Sequence, residues 1–223
     1  MKNFLMPALL GVALLAAPAA FAQKTVAVKS SKSVATTTSN TPAAVATYKL
    51  QPQLSTLGWE GKAVTHGHNG TIQFTGGDLQ VRNNMVVGGM VTVDMKTIKA
   101  TDIKDAESQG KFVGHMSSDD FFGAEKFPAS TFKITSVKPI AGAAADANNA
   151  TITGDMTIKG VTQSVSFPAQ VGVKNGVAAA KGKATIDRTK FGLKYGSKSF
   201  FDSIGDKAIY DEFTLDFNVI AKM

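Results

Sequence analysis

Residues 71–84 run Thr71-Ile72-Gln73-Phe74-Thr75, then Gly76-Gly77, then Asp78-Leu79-Gln80-Val81-Arg82, then Asn83-Asn84. Apolar and polar side chains alternate on both sides of the glycine pair. Successive side chains of an extended chain point to opposite faces, so this period of two marks strands with one dry and one wet face. Gly-Gly and Asn-Asn both accept the positive φ of a two-residue hairpin turn. The stretch therefore reads as two short strands joined at Gly76-Gly77, with a third starting after Asn83-Asn84.

The same period recurs outward. Val91, Val93 and Met95 alternate with Thr92, Asp94 and Lys96; Phe132 and Ile134 sit between Thr131, Lys133 and Thr135. Ile152, Met156 and Ile158 share one face, and Phe213, Leu215, Phe217 and Val219 share another. Asn175-Gly176 is a further hairpin connector, and Gly88-Gly89 inside a strand pattern predicts a bulge or sharp bend. Periodic runs of this kind amount to about eight strands in one antiparallel, all-β domain. Period alone leaves sandwich and closed barrel open. One stretch departs from it. Asp105–Met116 places Phe112, Val113 and Met116 at helical spacing, which predicts a helical insert, either a lid or a crossover covering one end of the core. Ser117-Ser118 is expected to cap a second short turn, with Asp119 and Asp120 at its positive end.

The chain of 223 residues carries 24 basic and 17 acidic side chains and no cysteine. Disulfides, thiolate metal clusters and lipid attachment through cysteine are thereby excluded. Lys2, Lys24, Lys29 and Lys32 precede Tyr48 with no acid among them, which leaves 20 basic and 17 acidic residues from Tyr48 onward. Arg82 and Arg188 are the only arginines. Nothing resembles a basic groove, so nucleic acid is not an expected partner. Residues 1–22 combine one lysine, an apolar run and Ala20-Phe21-Ala22, the order of a secretory signal peptide. Residues 23–47 are rich in Lys, Ser, Thr and Ala without an aromatic residue, and read as a flexible linker. The folded domain is expected over residues 48–223, in a periplasmic or secreted protein.

Catalytic signatures are scarce. Neither a G-x-S-x-G elbow nor an H-E-x-x-H helix is present. His66 and His68 point to one face of an extended chain, and His115 from the helical insert would complete an open three-imidazole metal site. A metal-dependent hydrolase using His66, His68 and His115 is therefore one alternative function. Plain structural histidines are the competing reading. Asp119 and Asp120 read as capping residues, and Asp187-Arg188 as an ion pair at a strand end or an anchor for a polar head group.

Three segments carry a resemblance. Gly114-His115-Met116 with Ser118-Asp119-Asp120-Phe121-Phe122, followed by Lys126-Phe127-Pro128 and Thr131-Phe132, is one. Gly154-Asp155-Met156-Thr157-Ile158-Lys159-Gly160-Val161-Thr162 and Ile186-Asp187-Arg188-Thr189-Lys190-Phe191-Gly192 are the others. Together they resemble the YceI-like polyisoprenoid-binding proteins. The chain departs from the family pattern at Leu57–Lys62 and in the longer Gly196–Asp211 segment. The resemblance implies an eight-stranded antiparallel lipocalin-like barrel that binds, carries or stores an isoprenoid or other long-chain lipid in its lumen, with no catalysis, metal or cofactor. Trp59, Phe74, Phe121, Phe122, Phe132, Met156, Phe213 and Phe217 are the candidate lumen wall, against a reading of ordinary core packing for each. His68, Lys111, His115 and Arg188 are the candidates for holding a head group. Transient contact with a membrane surface and a homodimer are left open as further partners, and a solid-barrel stress or interaction protein as a further alternative.

Overall fold

The structure, a computed structural model, describes residues 43–223. The expected signal peptide and residues 23–42 of the expected linker lie outside the described residues. The order is β1 (Ala46–Leu50), β2 (Thr56–Ala63), β3 (Gly67–Arg82), β4 (Met85–Ala100), α1 (Ala106–Ser117), β5 (Ala129–Pro139), β6 (Ala150–Ile158), β7 (Val161–Lys174), β8 (Val177–Asp187) and β9 (Ile209–Lys222). The first strand thus takes in Ala46 and Thr47, which the sequence reading left in the linker.

All pairings are antiparallel, and they close. β2 pairs with β9, successive neighbours run from β9 back to β3, and β3 pairs with β2. β1 pairs with β3 at Ala46↔Val81 and with β9 at Lys49↔Lys222, so it occupies the same position in the ring as β2. The two are one barrel strand interrupted at Gln51–Ser55. Pro52 has no N–H to give the ladder and opens a 3₁₀ turn there. The Ser55 hydroxyl repairs the gap, donating to the Gln51 carbonyl at 2.8 Å while accepting from the Ile220 N–H at 3.0 Å. The barrel accordingly has eight positions, as expected.

Gly76-Gly77 is not a hairpin. β3 runs straight through it, and the buried positions change from even (Ile72, Phe74) to odd (Leu79, Val81) across it. A register shift between Phe74 and Gly76 inserts the extra residue, which is a β-bulge. Gly77 (φ 138°) and Gly89 (φ 141°) lie almost opposite each other on β3 and β4. A Cβ on Gly77 would come within 2.1 Å of the Met90 carbonyl oxygen, and one on Gly89 within 2.3 Å of that of Asp78. The bend predicted at Gly88-Gly89 therefore has a partner in the facing strand, and the pair of glycines lets two long strands coil tightly. Asn83-Asn84 and Asn175-Gly176 are true hairpin turns with positive φ at both residues, and Lys159-Gly160 is a third.

The helical insert is α1, the β4–β5 crossover. Asp105 caps it by accepting from the Ser108 N–H at 2.8 Å. Ser118 does not start a second capped turn. Its hydroxyl closes α1, donating to the His115 carbonyl at 2.7 Å. Asp119 serves the loop that follows: its carboxylate meets Lys126 Nζ at 2.5 Å and is held below the usual range by that hydrogen bond, while its carbonyl accepts from Lys159 Nζ.

Candidate functional site

The inward faces do not fill the barrel. They leave an apolar cavity of about 240 Å³, bordered by side chains from the strands and from α1 with the turn after it. The far end of the barrel, where β3 turns into β4, is sealed by Tyr48, Leu50, Val81 and Val86, with Ala178 and Ala221 between them, all buried. The cavity reaches instead toward the β2–β3 turn and the start of β9, where Lys62, Ala63, His66, Ile209 and Tyr210 border it. This space weighs against the solid-barrel alternative.

All eight predicted wall residues border this space: Trp59, Phe74, Phe121, Phe122, Phe132, Met156, Phe213 and Phe217. Phe132 and Phe217 contact each other's neighbour Phe167, with ring centroids 5.3 Å away in each case. Phe167 was not among the candidates, although it alternates with Val165 on β7; Phe112, placed only on the helical insert, borders the cavity and stacks on Trp59 at 6.1 Å. Two buried polar atoms of bordering residues, Trp59 Nε1 and Ser130 Oγ, have no hydrogen-bond partner among the described residues.

The polar candidates separate. His68 borders the cavity, its Nδ1 2.8 Å from Asp102 Oδ2, with its ring 4.5 Å from that of Phe112. Burial acts to raise the Asp102 carboxyl, but the hydrogen bonds from His68 and from the Asn69 N–H outweigh it and hold the group below its ordinary value. Asp102 had no signal in the sequence, since it lies 34 residues from its partner. Lys111 is outside the site. It lies on the exposed side of α1, pairing with Glu107 one turn back at 2.6 Å, because residues four apart share a helix face. His115 does not border the cavity either; its ring packs edge-on against Phe121 and Tyr195.

Arg188 borders the cavity but is 3% exposed, and its donors are already used. Its Nε donates to the Tyr210 carbonyl at 2.9 Å, and its terminal nitrogens donate to Leu193 at 2.6 Å and Ile209 at 3.0 Å. Its carboxylate neighbour is Asp211 at 3.6 Å, while Asp187 accepts from the Thr189 N–H and hydroxyl. Arg188 thus ties the 188–193 turn to β9, and does not present a free charge to a head group.

His66 and His68 do lie together, with ring centroids 5.4 Å apart. His115 is held away by its aromatic neighbours, and among the described residues no three metal-ligating side chains converge. The donor set that a three-histidine hydrolase needs is not assembled.

A closed antiparallel barrel with an apolar interior bordered by a helical crossover defines a lipocalin-like container. A family model described as the YceI-like domain matches residues 48–221, and the chain belongs to that family. A UPF0312 protein of Pseudomonas paraeruginosa is 36% identical over 86 residues, which cover 36% of this chain and 42% of that protein. Protein YceI of Escherichia coli is 40% identical over 57 residues, 26% of this chain and 27% of that one. The chain thus spans less than half the length of these curated relatives. BcnA of Burkholderia cenocepacia shares the fold at a TM-score of 0.61 and 20% identity, covering 78% of this chain and 99% of that one. A polyisoprenoid binding domain from Saccharophagus degradans implicated in plant cell wall breakdown does so at 0.53 and 15%, covering 78% and 97%.

Proposed function

We propose that this protein binds an isoprenoid or similar long-chain lipid in the barrel lumen and carries or stores it, without catalysis, in the periplasm. The observation that carries the reading is the apolar cavity inside a closed barrel, sealed at one end and bordered at the other by the β2–β3 turn. The polyisoprenoid binding described for the Saccharophagus degradans domain, which has the same fold, supports the ligand class. The leader-like residues 1–22 support export. Phe74, Phe132, Met156, Phe213 and Phe217 would line the tail, and His68 with Asp102 would meet a polar head.

Each buried CH₂ is worth about 0.8 kcal/mol against water, so a 40-carbon tail would sum to roughly 30 kcal/mol. Non-covalent affinities stop near about 20 kcal/mol. The competitor, however, is a bilayer as apolar as the lumen, so the net preference is small and exchange is reversible. Selection then falls to the length of the lumen and to the few polar atoms that border it. Transient contact with a membrane surface belongs to the same reading. Organic extraction and native mass spectrometry of the protein from its own envelope are expected to release a long-chain lipid in near-stoichiometric amount. Protein that is folded and consistently lipid-free, and that takes up none from vesicles, would overturn the reading.

A further inference from the structure

Around the open end the barrel bears large side chains that no described residue covers. Tyr195, Phe200, Phe201 and Tyr210 are 44, 46, 50 and 51% exposed. Single exposed apolar residues are ordinary, whereas a group of rings gathered on one rim marks an interaction surface. The rim is one connected piece. The Ile209 N–H donates to the Gly196 carbonyl at 2.7 Å and the Val64 N–H to the Ala208 carbonyl at 3.0 Å, joining the 194–208 segment to β9 and to the β2–β3 turn. The rim is also continuous with the lumen wall: Tyr210 borders the cavity, and the ring of Tyr195 lies 5.5 Å from that of Phe121, which does as well.

The same segment is basic. Within it Lys194, Lys198 and Lys207 are exposed against Asp202 and Asp206, and among the described residues none of these three lysines makes an ion pair, whereas the flanking Arg188 is matched by Asp211. Lys194 Nζ stands 4.6 Å over the ring of Phe200, and Lys190 is 3.9 Å from Asp187. Aromatic rings set among lysines suit the headgroup level of a bilayer, where the ring enters the interface and the ammonium stays with the phosphates.

We propose that this rim docks on a bilayer surface containing anionic lipid and brings the lumen mouth to the headgroup level, so that the guest passes between bilayer and barrel without crossing water. The unpaired Lys194, which stands over the Phe200 ring, and Lys198 favour an anionic surface, and continuity with the lumen favours a lipid one. The inference rests on the lumen reading, so lipid content must be measured separately from docking.

The test is sedimentation of the protein with phosphatidylcholine vesicles, with and without phosphatidylglycerol, alongside extraction of its bound lipid. Sedimentation is expected only with phosphatidylglycerol and is expected to weaken with salt. Lys194→Gln with Lys198→Gln is expected to weaken partitioning about 30-fold, from roughly fivefold per lysine near an anionic surface. Phe200→Ser with Phe201→Ser is expected to abolish it while the pre-loaded lipid stays bound. Equal binding to neutral vesicles, or anionic binding indifferent to both double variants, overturns the proposal. So does a homodimer that the Phe200→Ser, Phe201→Ser variant dissolves, because the rim would then face a second copy. Extractable lipid without vesicle binding sinks the docking and spares the lumen reading; rim-dependent vesicle binding by a chain that takes up no lipid does the reverse.

Discussion

Met156 is where the lumen reading meets a single side chain. It sits on β6, opposite Phe132 on β5, 7% exposed and bordering the cavity. An indole at this position can extend into empty space instead of into the wall, so the strain of overpacking should stay at about 1 kcal/mol, the low end for such changes. Met156→Trp is expected to cut lipid retention tenfold or more, with a urea midpoint close to that of the parent; unchanged retention by mass spectrometry would remove Met156 from the lumen. The wall was legible at this scale because alternation reports which face of a strand turns inward, and Phe74, Met156, Phe213 and Phe217 all follow it. Charged candidates were not legible in the same way. Long side chains choose their direction after the fold exists, so Lys111 went to Glu107 on the helix surface and Arg188 went to three backbone carbonyls. The Asp102–His68 contact comes from the long β3–β4 hairpin, whose pairing brings the end of β4 beside the start of β3.

Among the elements, β3 and β4 decide the curvature. Both are 16 residues long, and they cannot coil around so narrow a lumen without places where the ladder gives way. The register shifts at Thr71/Gln73, Phe74/Gly76 and Gln80/Val81 are those places, and between the last two Gly77 and Gly89 let the backbones approach closely. Residue-by-residue patterning saw Gly76-Gly77 as the end of one strand, because a bulge and a hairpin both interrupt the alternation and both favour glycine. What separates them is the register on the partner strand, which no local window contains. Gly89→Ala would place a methyl about 2.3 Å from the Asp78 carbonyl oxygen at φ 141°. The expected loss is about 2–3 kcal/mol, from the conformational penalty and the forced separation of the strands. Urea denaturation checks it, and Gly110→Ala on α1, where an added Cβ meets nothing within 4 Å, is the control expected to be neutral or stabilising. Equal stability of the Gly89 variant and the parent would mean that β3 and β4 can slide apart freely at this point.

At the scale of the molecule, closure turns the nine strand segments of the described residues into a container. Period two supplied the strands, but it is equally compatible with a sandwich, and only the motif resemblance separated the two. The reason is physical: alternation reports one dry face per strand and says nothing about whether that face meets another sheet or a shared lumen. The lumen has a thermodynamic consequence that needs no identified ligand. A guest that binds the folded barrel and not the unfolded chain stabilises it by an amount set by its free concentration over Kd, about 2.7 kcal/mol at a hundredfold excess. For a domain of this size each kcal/mol moves Tm by roughly 2–4 °C. Delipidation by organic extraction and refolding should therefore lower Tm by about 5–10 °C, and incubation with lipid extract should restore it. The heat-capacity change of unfolding should be larger for the filled protein, since unfolding then exposes the guest's apolar surface together with the wall. Calorimetry that finds the stripped and filled proteins melting at one temperature would mean that the cavity is a packing void of the fold, and that the inward rings are simply its core.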